Sequence, residues 1–215
     1  MSVKRDLFDL RASYSKASLS KATVRADPGE QFSKWLDEAL NSEISEPNAM
    51  VLSTVNASGI PSSRVVLLKQ LTKEGFVFFT NYNSHKARDI YQNPNCALLF
   101  FWPELERQVR IEGVAEKISA RASDTYFLSR PPESRLAAWA SPQSETLESR
   151  KVLENKLAKR KKQIQQKITS RPPFWGGYLL SPHLFEFWQG RPGRLHDRIE
   201  YRKQQNQWEI VRLAP

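Results

Sequence analysis

The sequence predicts a mainly β protein of the α+β class, in which an antiparallel sheet or barrel is flanked by helices. At least seven short β-rich segments follow one another, and most are joined by short polar turns typical of hairpins. These segments do not alternate regularly with helices, and the chain has no GxGxxG motif, so a doubly wound nucleotide-binding sheet is not expected. The chain has 215 residues, 40% of them hydrophobic, which is enough to bury a core.

The first predicted helix has a clear start signal. Asp27 can cap the helix, Pro28 fits its first turn, and Glu30 completes the spacing of a capping box. Apolar residues then recur at helical spacing. Because the preceding residues are polar and basic, we expect a mobile N-terminal arm over residues 1–26 and a single domain over residues 27–215.

The other elements follow from changes in periodicity and from turn residues. Strands are predicted at residues 49–55, 62–70, 76–80, 96–102, 105–119, 174–181, 184–189, 196–203 and 207–212. Further helices are predicted at about residues 84–92, 120–130, 133–140 and 145–167. Ser84 is the expected N-cap of the helix that follows it.

The positive charge is concentrated in two segments. Lys and Arg number 33 against 23 Asp and Glu, a net charge of +10. Residues 1–25 carry +4 and residues 147–171 carry +7, which leaves about −1 for the rest. Such a patch is typical of nucleic-acid binding, but no helix-turn-helix, zinc-finger or RNP motif accompanies it. We therefore interpret residues 147–171 as the solvated face of an amphipathic helix and expect no nucleic-acid partner, while a basic nucleic-acid-binding module remains the alternative.

Several other classes of protein are disfavoured by composition. The single cysteine, Cys96, excludes an internal disulfide framework, and three histidines without HExxH spacing argue against a metal site. No segment approaches the roughly 20 apolar residues of a membrane span. The first residues contain no apolar signal core. The expectation is a cytoplasmic protein with no membrane partner.

Two strand-linked segments are candidates for anion binding. The run RVVLLK places cations at both ends, and period two puts Arg64 and Lys69 on opposite faces unless a bulge intervenes. The run TNYNSHK, which ends at Lys86, joins a strand to a helix N-terminus, where backbone N–H groups attract anions. Either segment could also be an ordinary surface strand or capped helix.

The most unusual segment is WQGRPGRLHDR, residues 188–198. In a strand, Arg194, His196 and Arg198 would share one face, where they repel one another unless an anion lies between them. Asp197 could pair with a neighbouring arginine. A smaller polar set surrounds Arg130, one helical turn from Tyr126 and close to Ser134, and an arginine with a hydroxyl suits a phosphate ester.

Together these stretches resemble the pyridoxine (pyridoxamine) 5′-phosphate oxidase family. The matching pieces occur in the family's order and cover most of residues 45–215: RVVLLK, FFT with SxK, ERQVRIEG, YFLSRPPESRLAAWASPQS, FWGGY, FEFWQGRPGRLHDR and the terminal WEIVRLAP. Each piece alone is weak evidence, but the FWQG-to-RLHDR block together with the RLAP ending is specific.

The resemblance implies an FMN-binding split β-barrel that forms a homodimer with FMN at the subunit interface. It implies the oxidation of pyridoxine 5′-phosphate or pyridoxamine 5′-phosphate by O2 to pyridoxal 5′-phosphate, in vitamin B6 biosynthesis and salvage. Hydride transfer from C4′ to flavin N5 is the implied step, with release of H2O2, and of ammonia from the amine.

The resemblance also implies roles for individual residues. The implied FMN contacts are Arg64, Val65, Val66, Leu67, Leu68, Lys69, Phe79, Thr80, His85, Lys86, Gln108, Gln143, Ser144, Trp188 and Arg198. The implied substrate contacts are Arg11, Tyr14, Lys69, Tyr126, Arg130, Ser134, Arg194, Leu195 and His196. Arg194 and His196 are the implied catalytic residues. No metal ligand is implied.

Two departures from the family pattern and three alternatives accompany the resemblance. Relatives often have arginine at the position of His85 and tyrosine at that of Phe79, so one charge and one hydroxyl are missing here. Another split-barrel flavin oxidoreductase, the basic nucleic-acid-binding module and a non-catalytic carrier of pyridoxal phosphate are the competing functions.

Overall fold

The fold is built on one antiparallel sheet, seen in a computed structural model that describes residues 13–163, 169–205 and 207–215. The strands are Ala49–Val55 (β1), Pro61–Leu67 (β2), Gln70–Leu71 (β3), Phe76–Asn81 (β4), Asn95–Trp102 (β5), Arg107–Lys117 (β6), Trp175–Gln189 (β7), Asp197–Gln204 (β8) and Gln207–Leu213 (β9). Hydrogen-bonded neighbours follow the order β2-β1-β5-β6-β7-β4-β3, and β8 pairs with β7 and β9. The predicted mainly β, α+β fold is confirmed.

The helices begin where the sequence supplies caps and prolines. They are Pro28–Leu40 (α1), His85–Gln92 (α2), Ala120–Ser129 (α3), Pro132–Ala140 (α4) and Arg150–Gln163 (α5). The Asp27 carboxylate accepts a hydrogen bond from the Glu30 N–H at 3.0 Å, as the capping spacing predicts. Ser84 occupies the predicted N-cap position of α2, but its hydroxyl makes no capping hydrogen bond.

The strand predicted over residues 62–70 is wrong as a single element. Leu67 pairs with β1, and the Leu68 N–H then donates to the carbonyl of Asn48 at 2.9 Å. The next N–H, that of Lys69, donates instead to the carbonyl of Val77 in β4, also at 2.9 Å. The chain thus changes its partner strand between Leu68 and Lys69, and the ladder breaks there.

Most other boundaries agree with the prediction to within one or two residues, but two further elements differ more clearly. The strands predicted at 174–181 and 184–189 form one continuous strand, β7, because the fixed φ of a proline is compatible with an extended chain and Pro182 does not end it. The basic helix begins at Arg150 rather than near residue 145. A turn precedes it, in which Ser144 has φ 72°, a left-handed conformation that no helix contains. The predicted end of this helix, at residue 167, lies outside the described residues.

The chain divides into two compact units. Unit 1 contains the residues up to Pro47, with Phe100–Arg110 and Leu184–Pro215, and unit 2 contains Asn48–Leu99 and Ile111–His183. Each has its own aromatic core. In the described residues, no helix is long and apolar enough to cross a membrane.

The core of unit 1 forms around α1. Phe32 and Trp35 are buried, and their rings lie 4.9 Å from Phe100 and 5.2 Å from Phe187, centroid to centroid. Burying an aromatic side chain of this size contributes about 2 kcal/mol, so this stripe fixes α1 against the strands of unit 1. The indole N–H of Trp102 donates to the carbonyl of Pro47 at 2.9 Å, which satisfies a polar group inside the core.

Candidate functional site

Unit 2 contains a cavity of about 620 Å³, within the usual range for a small-molecule site. It lies beside β2, the end of β4, the start of α2 and the helices α3 and α4. The lining residues are Arg64, Val65, Val66, Leu67, Lys69, Phe79, Thr80, Asn81, Lys86, Tyr126, Arg130, Ala137, Ala138, Ser141, Gln143 and Trp175.

Lys86 is a cationic residue of the cavity lining. Its ammonium donates to the hydroxyls of Thr80 and Ser84 at 3.2 and 3.4 Å and to the side-chain carbonyl of Gln143 at 3.2 Å. In the described chain no carboxylate pairs with it. Burial, and then the positive charge of Arg64, lower the pKa of Lys86 to about 8. The site therefore holds a cation that gains from a nearby anion.

Arg64 is fixed in position by neighbouring oxygens. One guanidinium nitrogen donates to the Thr54 hydroxyl at 2.7 Å, and another donates to the Ser62 hydroxyl at 2.7 Å. Asp89 of α2 lies 3.9 Å away, and burial lowers the pKa of Arg64 although this carboxylate raises it. Asp89 also lies 3.4 Å from the exposed imidazole of His85, which leaves His85 outside the cavity lining.

Three aromatic rings stack along another part of the cavity. The Phe79 ring lies 3.8 Å from Tyr126 and 5.4 Å from Trp175, at interplanar angles of 23° and 14°. Burial raises the pKa of Tyr126, so its hydroxyl stays protonated at neutral pH. This stack gives the cavity a flat apolar wall with a hydroxyl at its edge.

Arg130 ends the stack and has an unsatisfied donor. Its guanidinium carbon lies 4.7 Å above the Trp175 ring, a cation–π contact. Its Nη1 is buried without a hydrogen-bond partner, and in the described chain no carboxylate pairs with it. Burial lowers the pKa of Arg130, although the group keeps its charge. A buried, unpartnered guanidinium nitrogen beside a cavity is the arrangement that an oxyanion would satisfy.

The cavity brings together most of the predicted residues of unit 2. Those that line it are Arg64, Val65, Val66, Leu67, Lys69, Phe79, Thr80, Lys86, Tyr126, Arg130 and Gln143. Leu68 is buried instead, and Ser134 and Ser144 are not part of the lining. Arg64 and Lys69 both line the cavity despite their alternate positions, because the strand breaks before Lys69.

Sequence reasoning missed several lining residues. They are Asn81, Ala137, Ala138, Ser141 and Trp175. The FWGGY segment was part of the resemblance, but no role for its Trp175 followed from it. Ala137 and Ala138 of α4 have small side chains, which leave room for a ligand. Alanine is common in helices, so these residues could not be recognised as cavity residues from the sequence.

A second cluster of predicted residues lies in unit 1. The His196 ring lies 4.6 Å from Trp188 and 5.6 Å from Tyr14. Its Nδ1 accepts a hydrogen bond from the Arg191 N–H at 3.1 Å. The neutral imidazole therefore carries its proton on Nε2. Of the other predicted residues here, Gln108 is half-buried in β6, and Arg11 lies outside the described residues.

The prediction that Arg194, His196 and Arg198 share one face of a strand is wrong. Arg194 lies in a 3-10 turn, Pro192–Arg194, with φ 62°, and Gly193 before it has φ 65°. Two successive left-handed residues turn the chain, so β8 begins only at Asp197. Arg194 and Leu195 are exposed.

Arg198 is held by a buried carboxylate. Its Nε donates to Glu186 at 2.7 Å, and Arg110 donates to the other oxygen of Glu186 at 2.6 Å. Burial alone would raise the pKa of Glu186, but the two arginines outweigh it and the pKa is lowered. Asp197 pairs with Arg212 at 2.6 Å and with Arg191 at 3.6 Å, as expected for a carboxylate among arginines.

Comparison with known families gives two matches along the chain. Residues 36–163 match the family model described as pyridoxamine 5′-phosphate oxidase. Residues 175–215 match the one described as the pyridoxine 5′-phosphate oxidase C-terminal dimerisation region.

Curated relatives are similar over nearly the full length. The chain is 54% identical over 208 residues to pyridoxine/pyridoxamine 5′-phosphate oxidase 1 of Ralstonia nicotianae, covering 96% of this chain and 98% of the relative. It is 52% identical over 207 residues to the pyridoxine/pyridoxamine 5′-phosphate oxidase of a Cyanothece species, covering 96% and 97%.

Solved structures support the same conclusion. PhzG from Burkholderia lata, crystallised with tetrahydrophenazine-1-carboxylic acid, matches with a TM-score of 0.85 and 29% identity, covering 90% of this chain and 95% of PhzG. A pyridoxamine 5′-phosphate oxidase-related, FMN binding protein from Nostoc punctiforme shares the split-barrel fold, with a TM-score of 0.68 and 19% identity, covering 85% and 96%. By sequence over nearly its whole length and by fold, the chain belongs to the pyridoxamine 5′-phosphate oxidase family.

Proposed function

We propose that this oxidase converts pyridoxine 5′-phosphate and pyridoxamine 5′-phosphate to pyridoxal 5′-phosphate, with FMN as cofactor and O2 as electron acceptor. The alcohol loses two electrons and two protons to become the aldehyde, and O2 gains them to become H2O2. The amine additionally consumes water and releases ammonia. The proposal places the protein in vitamin B6 biosynthesis and salvage.

One observation carries the proposal: Lys86 and Arg130 line the same cavity, and in the described chain neither has a carboxylate partner. A cavity of about 620 Å³ with two unneutralised cations suits two phosphate groups, one on a flavin nucleotide and one on a substrate. The flat wall formed by Phe79, Tyr126 and Trp175 suits planar rings.

At the cofactor end, Lys86, Thr80 and Arg64 would hold the FMN phosphate through charge and hydroxyl donors. Backbone groups of β2 would flank the ring system. When bound, FMN supplies the two-electron oxidant that accepts a hydride from C4′. The missing arginine charge at His85 matters little for the cavity itself, since that imidazole faces Asp89.

At the substrate end, Arg130 would bind the substrate phosphate through the nitrogen that lacks a partner, with Lys69 and the Tyr126 hydroxyl beside it. Binding energy from this remote group orients the reacting carbon. His196 is proposed to donate a hydrogen bond from its Nε2–H to the C4′ oxygen or nitrogen of the substrate, because its Nδ1 accepts from the Arg191 N–H. Arg194, exposed in its turn, is proposed to stabilise substrate charge.

An absorbance spectrum before and after anaerobic addition of pyridoxine 5′-phosphate tests the function. The purified protein should show an oxidised-flavin band, which the substrate bleaches and air restores with formation of H2O2. A folded protein that does not bind added FMN would contradict the cofactor assignment. A flavin that substrate leaves oxidised would contradict the substrate assignment only.

The similarity to PhzG suggests a second candidate function. An oxidase of this fold could act on another reduced ring compound, as the ligand in the PhzG crystal illustrates for that protein. The unpartnered Arg130 favours a phosphorylated substrate, because a carboxylated ring without phosphate leaves fewer acceptors for its donors. Activity with pyridoxine 5′-phosphate but not with unphosphorylated pyridoxine distinguishes the two.

We also propose that the protein is a homodimer, since residues 175–215 match a dimerisation region. Sedimentation should give the mass of two chains, with FMN bound at the subunit interface.

A further inference from the structure

A carboxylate outside the proposed catalytic set holds the N-terminal segment in place. Glu106 is only 8% exposed, and one of its carboxylate oxygens accepts hydrogen bonds from the N–H groups of Ser15 and Lys16, both at 2.9 Å. The Lys16 ammonium donates to the carbonyl of Glu104 at 2.6 Å. Two adjacent backbone donors on one carboxylate oxygen fix the direction of the chain at this point.

Glu106 is itself held in an unusual conformation. It has φ 54° and ψ 39°, in the left-handed region that side-chain-bearing residues rarely adopt. Its carbonyl accepts hydrogen bonds from the Gly190 N–H at 2.8 Å and from the buried Gln189 amide at 3.2 Å. The backbone of Glu106 is therefore fixed by residues 189 and 190, and its carboxylate binds the N–H groups of residues 15 and 16.

The anchored segment places the Tyr14 ring among residues of unit 1. The Tyr14 ring lies edge-on to Trp188, with centroids 5.8 Å apart, and edge-on to His196 at 5.6 Å. A Cβ at Gly190 would lie 2.7 Å from the Tyr14 ring, so this glycine leaves the space that the ring needs. Further along the arm, Leu19 is buried and its N–H donates to Asp197 at 3.0 Å.

We propose that Glu106 is a positioning residue that anchors the arm before substrate arrives, so that Tyr14 stands against His196 and Trp188 in advance. The proposal rests on the proposed function in one respect, the role of Tyr14 and His196 in substrate binding. Ordering a mobile segment on binding costs conformational entropy and weakens affinity. An arm that is already anchored avoids this cost when the substrate binds. Glu106 should therefore affect substrate capture much more than turnover or FMN binding.

Trypsin cleavage after Lys16 tests the anchor without reference to activity. In Glu106→Ala the arm loses both hydrogen bonds, and this bond should be cut about tenfold faster than in the wild type, as expected when a local contact no longer limits opening. Glu106→Gln keeps an acceptor oxygen and should stay within about twofold of the wild type. Glu104→Ala is the matched control, because that exposed residue uses only its backbone carbonyl.

Steady-state kinetics give the second readout. Glu106→Ala should raise KM for pyridoxine 5′-phosphate about tenfold, change kcat by less than about threefold and leave the FMN dissociation constant unchanged. Equal cleavage rates in Glu106→Ala and Glu104→Ala would overturn the anchor even if the enzyme is active. Faster cleavage in a protein without this oxidase activity would overturn only the proposed function.

Hydrogen exchange on the wild-type protein tests the anchor even if the variants do not fold. The amides of Ser15 and Lys16 should exchange at least about tenfold more slowly than those of an unstructured peptide. Unprotected amides at both positions would overturn the proposal.

Discussion

Arg130 and Lys86 are two cations whose charge the described chain leaves unbalanced by any carboxylate. Arg130 is held by the face of Trp175, and Lys86 by hydroxyl and amide oxygens. By contrast, Arg198 and Arg212 are paired with Glu186 and Asp197. Cations of the first kind retain an attraction for anionic ligands, whereas those of the second kind mainly fix the fold.

Replacing Arg130 should therefore weaken substrate binding selectively. In Arg130→Ala, KM for pyridoxine 5′-phosphate should rise about 30-fold or more, because the proposed charge-assisted bond to the substrate phosphate is lost. Arg130→Lys should recover only part of this, since an ammonium lacks the planar fork that stacks on Trp175. Lys161→Ala, an exposed cation of α5, is the control and should be neutral. Equal effects at Arg130 and Lys161 in steady-state assays would contradict the assignment.

If Lys86 holds the FMN phosphate as proposed, FMN binding should depend on pH. Its pKa is lowered to about 8, so the ammonium is charged at neutral pH and loses its proton as pH rises through this value. Because the proposed contact with the phosphate needs the charged ammonium, the FMN dissociation constant should increase above about pH 8, measured by flavin fluorescence. Lys86→Arg keeps its charge and should bind FMN with a flatter profile over the same range. A flat wild-type profile between pH 7 and 9.5 would show that Lys86 does not contact the phosphate.

At the scale of elements, local chemistry explains the start of α1. The Asp27 carboxylate satisfies one of the N–H groups that a helix leaves without a partner. Asp27→Ala should lower the free energy of unfolding by about 1 kcal/mol, measured by urea denaturation. Asp37→Ala, at an exposed position of the same helix, should change it by less than about 0.5 kcal/mol. A smaller loss at Asp27 than at Asp37 would argue against the cap.

The elements also show what can be predicted from sequence. The strand β1 is predicted with both ends correct, because alternate residues such as Met50 and Leu52 are buried along its whole length. The break after Leu67 is not visible locally, since it depends on a change of partner strand. The turn at Arg194 was missed because left-handed φ at an arginine has no sequence signal.

The candidate site also contains some features that the sequence shows locally and others that depend on contacts between distant segments. The cations of the cavity were identified because their segments match family motifs in order. Glu106 was missed, although it lies within the matching ERQVRIEG segment, because the residues that it holds are 90 and 91 positions away in the chain. Trp175 was missed because its role depends on the guanidinium packed over it. Contacts between distant segments are a property of the fold.

At the scale of the whole molecule, the charges behind the net charge of +10 fall into two groups with different roles. Most of the excess lies in the N-terminal segment and α5, where the described basic side chains are largely in contact with solvent. The charges that matter for the proposed function are few, and two of them, Arg64 and Lys86, repel each other. An anion between them removes that repulsion and should stabilise the folded protein.

Thermal unfolding measures this effect. Because a ligand that binds only the folded state stabilises it by mass action, FMN at 100 times its dissociation constant should add about 2.7 kcal/mol and raise Tm. Inorganic phosphate should raise Tm more than chloride at equal ionic strength, and Lys86→Met should abolish most of the difference. The same increase with chloride would indicate screening of the general charge instead.

The left-handed conformation of Glu106 has a consequence for protein engineering. Glycine is the residue that adopts such a φ at least cost, so backbone strain considered alone would favour Glu106→Gly. That variant would relieve backbone strain of about 1 kcal/mol. It would also delete the carboxylate that binds residues 15 and 16. Because hydrogen bonds to a charged group contribute about as much as this strain or more, the variant should gain no heat resistance and should capture substrate less well.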